Sequence, residues 1–328
     1  MSMHLSVAIE RFPIAGHFNI ARGSKTEAVV VSVRLDQDGH IGRGECVPYA
    51  RYGETPEDTL AAIEALAPAF AAGMSRAALQ NALPPGAARN ALDCALWDLE
   101  ARRSSTSVAA LASVSLPEKI ETAFTISLGT PDAMAEAAGR AAHLPLLKIK
   151  LGAPGDAERL GAVRAAAPDT RLVVDANEGW HPDDLSVLLD ICAHCRVELV
   201  EQPLPASADQ ALAEIDHPVP ICADESVHAL AGLEALVGRY DAINLKLDKT
   251  GGLTEALAVA ARAEALGLSI MVGCMVSTSL SMLPARLLAA RARWIDLDGP
   301  LLLERDRPNG LNYERGTIAG AASPLWGG

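Results

Sequence analysis

Three carboxylates and a set of lysines in this 328-residue chain have the types and spacing for proton chemistry beside a metal. Asp175 in "VVDAN", Glu201 in "ELVEQP" and Asp224 in "ICADES" each close a short apolar run. Three hard oxygen donors without His or Cys favour Mg²⁺, with Mn²⁺ as a substitute, over zinc. Lys148 and Lys150 in "LKIKLG" and Lys246 and Lys249 in "INLKLDK" close two further runs. A metal-bound substrate carboxylate makes the adjacent carbon acidic, so one lysine can remove its proton and another return one on the opposite face. A free lysine titrates near ~10.4, too high for a base at neutral pH. The metal and the second ammonium of the "KIK" pair are expected to push it down. One more stretch, "WIDLDGPLLL", reads as a buried strand with Asp296 and Asp298 two apart on one face. Two like charges buried together need a cation.

These residues must be positioned by eight apolar runs that alternate with Ala-rich helical segments from about residue 120 onward. The runs are "ETAFTISL", "LPLLKIKLG", "TRLVVDAN", "VELVEQP", "VPICADES", "DAINLKLDK", "LSIMVGCM" and "ARWIDLDGP". Strand–helix alternation implies an α/β chain with a parallel sheet and right-handed crossovers, and eight repeats imply a closed barrel. No Gly-rich phosphate loop follows an early strand, which counts against a doubly wound open sheet. In a barrel the C-terminal strand ends hold the active site. Asp175, Glu201 and Asp224 then stand on three neighbouring strands. Lys150 and Lys246, from strands two and six, face each other across the mouth.

Residues 1–115 read differently, as an α+β unit. "EAVVVSVRLDQDGHIGRGECVP" predicts two strands joined at Asp38-Gly39. "TPEDTLAAIEALAPAFAAG" predicts a helix with Thr55 as its N-cap and Pro56 at the first helical position. "AARNALDCALWDLEARRS" predicts another. The expected division is a capping domain over 1–115, a barrel over 116–300, and a segment over 301–328 that packs back on the cap.

Composition narrows the class. A net charge of −13 argues against a nucleic-acid surface. No apolar run is long enough for a membrane span. The opening "MSMHLSVAIERFPI" lacks the pattern of a secretory leader. The six cysteines are scattered and read as reduced thiols of a cytoplasmic protein. "CAHC" (Cys192 to Cys195) lacks a second ligand pair for zinc.

Taken in order, "LKIKLG", "VVDANEGW", "ELVEQPL", "ICADES" and "INLKLDKTGG" resemble the enolase superfamily, in its muconate-lactonizing subgroup, over essentially the whole chain. The resemblance implies a modified (β/α)₇β TIM-type barrel under an N-terminal α+β capping domain. It implies Mg²⁺ on Asp175, Glu201 and Asp224, and acid/base lysines at Lys150 and Lys246 acting through an Mg-stabilised enediolate. Lys148 would be the electrostatic helper, and Asn177, Glu225 and Lys249 would back the ligands.

The subgroup performs cycloisomerisation, dehydration to o-succinylbenzoate, N-acylamino acid racemisation and dipeptide epimerisation on one scaffold, and fold alone does not choose among them. Strand eight lies opposite strand four, which places Asp296 and Asp298 across the mouth from the metal ligands. There they suit a cation on the substrate, such as the ammonium of a dipeptide. "DLDGP" also looks like the strand-eight motif of the family's dipeptide epimerases. Two stretches that would close over the mouth, Gly16 to Glu27 and Val47 to Thr55, contain Arg22, Lys25 and Arg51. Arg22 and Lys25 are the expected partners of a substrate side-chain carboxylate, which favours L-Ala-D/L-Glu. Thr125, Cys274, Met275 and Ser277 are expected to line the pocket. N-acylamino acid racemase and o-succinylbenzoate synthase are the alternatives on the same scaffold. A non-catalytic metal-binding homologue is the alternative of another class. A homo-oligomer is compatible with the sequence, which does not decide it.

Overall fold

The structure is a computed structural model and describes residues 2–320 and 323–328. The chain opens with three antiparallel strands, β1 (His4–Ile20), β2 (Gly23–Gln37) and β3 (His40–Cys46), in the order β1-β2-β3. The β2–β3 turn sits at Asp38 and Gly39, both left-handed at φ 54° and 80°, the turn chemistry their types permit. β1 is the element the sequence reading lacked. Its partner is the predicted β2, and together they form a long hairpin whose tip, Ile20 to Gly23, reaches the barrel mouth. The stretch Gly16 to Glu27, expected to be a loop, is mostly this hairpin.

Four helices cover the sheet: α1 (Pro56–Glu64), α2 (Ala67–Ala71), α3 (Arg76–Ala82) and α4 (Ala87–Ser104). The Thr55 side chain caps α1 by accepting the Asp58 N–H at 3.1 Å. α4 packs on β3 and buries Ala91, Leu92, Ala95 and Leu99 against Val31, Val33 and Leu35 of β2. A short α5 (Val108–Leu111) and β4 (Lys119–Glu121) lead into the second unit.

There, eight parallel strands follow in chain order. They are β5 (Phe124–Ile126), β6 (Leu146–Lys150), β7 (Arg171–Asp175), β8 (Val197–Glu201), β9 (Ile221–Ala223), β10 (Ala242–Leu245), β11 (Ser269–Val272) and β12 (Trp294–Ile295). Each lies in one of the eight predicted runs. The sheet curls until its ends meet, where Ala123 N–H donates to Ile295 O at 2.8 Å. One residue from each strand or its approach, Ala123, Leu146, Val173, Leu199, Cys222, Ala242, Met271 and Trp294, forms a buried cluster inside the barrel. Side chains pointing inward from the strands fill a barrel interior, which is a packed core and not a pore.

The helices α6 (Pro131–Ala141), α7 (Asp156–Ala166), α8 (Pro182–His194), α9 (Leu247–Thr250), α10 (Leu253–Ala265) and α11 (Ser279–Ala285) clothe the outside. The crossovers after β8 and β9 depart from the expected alternation. They hold only 3₁₀ turns, Gln210–Glu214 and Leu233–Leu236. Their sequences contain Pro205, Pro218, Pro220 and Gly232 and leave no room for a full helix. After β12 the chain forms β13 (Tyr313–Glu314) and β14 (Thr317–Ala319), which pairs with β4. Near the end, Trp326 Nε1 donates to Cys94 O of α4 at 3.0 Å. The six cysteines are free thiols. Among the described residues, no helix is long and apolar enough to cross a membrane.

Candidate active site

Side chains alternate along a strand, so two residues beyond the apolar layer each strand again points inward. Those residues are Thr125, Lys148, Asp175, Glu201, Asp224, Asn244, Gly273 and Asp296. An apolar floor thus gives way within one step to a layer of charge, and the floor excludes water from beneath it.

The strand ends are in register. Lys150 pairs with Asp175, and Asp175 with Glu201. Lys150 Nζ donates to Asp175 Oδ2 at 2.5 Å. Lys246 Nζ donates to Asp224 Oδ2 at 2.6 Å and stands 3.8 Å from Glu201 Oε1. The two lysines therefore occupy the two ends of the carboxylate row. Between them, Lys148 Nζ lies 3.2 Å from Asp175 Oδ2 and 2.6 Å from Glu201 Oε2, and donates to Asp296 Oδ2 at 2.8 Å. Lys249 Nζ, behind the row, holds Asp224 Oδ1 at 2.5 Å and the Asn244 carbonyl at 3.0 Å.

Charge follows this geometry. Burial works against the ammonium of Lys148, but Asp296, Glu201 and Asp175 outweigh it and hold its pKa well above the ordinary value. Lys246 is raised in the same way by Asp224 and Glu201. The ammonium of Lys148 works to lower Lys246, but among the protein residues alone the carboxylates prevail. Lys249 is lowered, because burial prevails over Asp224. Glu201 is pushed up to about 7 by burial and by Asp175, against the pull of Lys148. Asp224 resists the same burial because Lys246 and Lys249 hold it well below the carboxylate range.

Among the described residues, no three Asp, Glu, His or Cys side chains form a ready metal cage. The carboxylates are turned toward ammonium groups instead. The donor set nevertheless fits a hard divalent ion: three carboxylates from consecutive strands, all buried. Glu201 Oε2 and Asn244 Oδ1 are also buried there without an aligned hydrogen bond.

Asn244, two residues before Lys246, is a site residue the sequence reading missed. Its Nδ2 donates to Glu201 Oε1 at 2.7 Å. It fits because Gly273 faces it, where a Cβ would lie 2.5 Å from Asn244 Oδ1. Its two-residue spacing from Lys246 was the available signal.

The layer opens into a cleft of about 560 Å³ between barrel and cap. Lys148, Lys150, Lys246, Asp224, Asn177, Glu225, Thr125, Cys274, Met275, Asp296 and Asp298 line it from below. Phe18, Arg22, Lys25, Tyr49 and Tyr52 line it from the cap. Ser277 is not among them: it is fully buried and donates to the Met275 carbonyl at 3.0 Å.

The acidic pair lies differently from expectation. β12 ends at Ile295, so Asp296 and Asp298 stand on the chain just beyond it. Strand eight closes the ring against strand one, and Lys148 of strand two reaches across to bridge Asp296 to Asp175 and Glu201. Asp296 is thus linked to the metal-ligand candidates through one ammonium, rather than set apart from them. Asp298 accepts the Thr125 N–H at 2.7 Å and so helps to seal the barrel seam. Burial and the charge of Asp296 push its carboxyl up to about 7. Asp296 Oδ1 is buried without a partner.

Arg22 is engaged by the protein itself. It donates to Glu225 Oε1 at 2.5 Å, Glu178 Oε2 at 3.0 Å and the Asn177 carbonyl at 2.9 Å. Arg51 grips Glu178 with two hydrogen bonds, each 2.9 Å. Lys25 sits 5.1 Å from the centre of the Tyr49 ring and has no carboxylate partner among the described residues. Of the cations proposed for a substrate carboxylate, Lys25 is the one without a fixed acidic neighbour. Glu178, unremarked in the sequence, sits at φ 66° after Asn177 at φ 47°. Two successive non-glycine residues in left-handed backbone are a strained feature of the kind found at functional sites.

A capped parallel barrel with lysines and acids on its C-terminal rim is the architecture of the enolase superfamily, and the chain belongs to it. Residues 2–112 match the mandelate racemase / muconate lactonizing enzyme N-terminal domain, and residues 132–323 match the enolase C-terminal domain-like family. Its relatives are isomerases of amino acid derivatives. The chain is 49% identical to the L-Ala-D/L-Glu epimerase of Escherichia coli K12 over 94% of its own length and 97% of that protein. It is 45% identical to the N-acetyl-D-glutamate racemase of a Pseudoalteromonas species, covering 92% and 95%. Among solved structures, it superposes with a TM-score of 0.97 on an Agrobacterium tumefaciens enolase family member with homology to dipeptide epimerases. That structure has sodium and L-Ala-L-Glu bound; identity is 53%, over 99% of this chain and 100% of that one. The TM-score is 0.92 with the dipeptide epimerase of Enterococcus faecalis, solved with Mg and L-Leu-L-Tyr, at 29% identity over 100% and 99%.

Proposed function

We propose that the protein is a dipeptide epimerase that inverts the α-carbon of the C-terminal residue, with L-Ala-D/L-Glu as substrate. The observation that carries this reading is the pair Lys150 and Lys246 at opposite ends of the row Asp175–Glu201–Asp224, opening into one cleft. We assign Mg²⁺ to those three carboxylates, with Mn²⁺ as a substitute. When bound, it would polarise the substrate carboxylate and take up negative charge that now holds Lys246 as ammonium. Lys150 and Lys246 then work from opposite faces of the α-carbon, one removing its proton and the other delivering one. Lys148 remains charged between Glu201 and Asp296 and adds fixed positive potential at the carbon that gains charge. The apolar floor and the cap residues Phe18, Tyr49 and Tyr52 keep bulk water from the cleft.

At the far side, Asp298 and the free oxygen of Asp296 receive the substrate ammonium. Lys25 and the Arg22 network provide positive charge for a Glu side chain. Relatives linked to L-Ala-Glu support that choice. Proton NMR in deuterated water, with Mg²⁺ and L-Ala-L-Glu, tests the reading. Loss of the Glu α-proton with growth of L-Ala-D-Glu is expected, and absence of both refutes it.

The racemase relative, at 45% identity, favours a second reading in which the substrate is an N-acylated glutamate. Such a substrate lacks an ammonium. Asp298→Asn retains an oxygen for the Thr125 N–H but loses the charge. Dipeptide kcat/KM is expected to fall about tenfold or more in this variant, the worth of a charge-assisted hydrogen bond. Unchanged dipeptide kinetics beside faster N-acetylglutamate turnover would select the racemase.

A further inference from the structure

Lys246 stands at the start of a tight turn, α9, and everything that fixes this turn fixes the ammonium. One face of the cap helix α4 does so. Arg89 donates to the carbonyls of Thr250 at 2.7 Å and Gly251 at 3.2 Å. Asp93 accepts the Thr254 N–H at 2.9 Å. Asn90 Nδ2 donates to Asp248 Oδ1 at 2.8 Å, and that same oxygen accepts the Val47 N–H at 2.9 Å. Val47 begins the cap segment that carries Tyr49 and Tyr52 over the cleft.

Asp248 is therefore bonded at once to the helix behind Lys246 and to the segment in front of it. Both donors are neutral, and burial pushes its carboxyl up to about 7. A buried carboxylate without a cation is not a stabilising choice; its value here is geometric. We propose, resting on the two-lysine reading above, that Asp248 is a positioning residue that registers Lys246 against the closed cap.

The consequence is one-sided. Lys246 serves one face of the α-carbon and Lys150, on the opposite rim and attached to β6, serves the other. Loosening the α9 turn should disable only the first. A misplacement of about an ångström is enough to cost on the order of a hundredfold in rate.

The test follows L-Ala-L-Glu and L-Ala-D-Glu separately in deuterated water with Mg²⁺, reading α-proton exchange and inversion for each. In Asp248→Ala, inversion is expected to fall at least about tenfold from both epimers. Exchange without inversion should persist from only one, the epimer whose proton faces Lys150. Asp248→Asn keeps an oxygen acceptor for both donors and should restore inversion. Equal loss of exchange from both epimers in Asp248→Ala, or no rescue by Asp248→Asn, overturns the inference. If Asp248→Ala melts below the assay temperature, Asn90→Ala, which leaves the Val47 bond, must show the same asymmetry or the inference falls. Wild-type protein that exchanges neither epimer refutes the two-lysine reading itself, a separate outcome.

Discussion

Lys148, Lys150 and Lys246 share a side chain and differ in surroundings. Lys148 lies within 3.2 Å of three carboxylates, which hold it firmly as a cation. Lys150 and Lys246 each hold a single carboxylate closely, Asp175 at 2.5 Å and Asp224 at 2.6 Å, and both line the cleft. A group that must give up and regain a proton is better placed with one close counter-charge than with three. Lys150→Ala and Lys246→Ala are each expected to lower epimerisation by at least about a thousandfold, within the span attributed to positioned acid–base groups. Calorimetry should show Mg²⁺ still binding both variants. Full activity in either would exclude the two-base mechanism.

At the scale of elements, the exit of β7 is the point where cap and barrel meet over the cleft. Glu178, held in left-handed backbone by its N–H to the Gln202 carbonyl at 2.8 Å, receives Arg22 from the β1–β2 hairpin and Arg51 from the segment after β3. One carboxylate thus gathers two pieces of the cap, which also touch each other where Arg22 donates to the Tyr49 hydroxyl at 3.3 Å. Arg51 is 40% exposed, so its share is modest. Glu178→Gln is expected to raise KM for the dipeptide about three- to tenfold with little change in kcat, as two weakened ion pairs would. An equal fall in kcat at constant KM would mean that Glu178 acts on the chemistry, not on closure.

For the molecule as a whole, the tail acts as a clasp. Arg307 reaches Glu45 of β3 at 2.7 Å, Glu10 of β1 at 2.8 Å and Thr278, the cap of α11, at 2.9 Å. Glu45 is buried and also accepts from Thr278 and Ser281 of the barrel. Arg307→Ala would leave that carboxylate without a cation, a change that costs about 3–5 kcal/mol when a buried pair is broken. Denaturant unfolding should show this loss, and Arg307→Lys should recover only part of it, since an ammonium cannot reproduce the fork. A loss below about 1 kcal/mol, the size of an exposed pair, would mean that the clasp is loose.

Much of this was legible in the chain. The eight apolar runs, six of them ending in charged residues, marked the barrel strands in order because strand period and hydrophobic burial are local properties. The types Asp175, Glu201, Asp224, Lys150 and Lys246 marked the chemistry for the same reason: a ligand or base must be of a given kind wherever it lies. Partnership was not legible. That Lys148 would bridge Asp296 to Glu201, that Glu225 and Glu178 would take up Arg22, and that Ser277 would turn away from the cleft depend on residues far apart in sequence. β1 has a signal of its own, Leu5, Val7 and Ile9 alternating with Ser6, Ala8 and Glu10 and packed on the cap core, but its length of 17 residues comes from pairing with β2 past Pro13, which a local pattern does not show. Asn244 and Asp248 look like ordinary polar residues beside Lys246 until Gly273, Asn90 and Val47 are brought against them. Local sequence determined the elements and the kind of chemistry; only the closing of the barrel and the descent of the cap decided which charge meets which, because those distances are set by the fold and not by spacing along the chain.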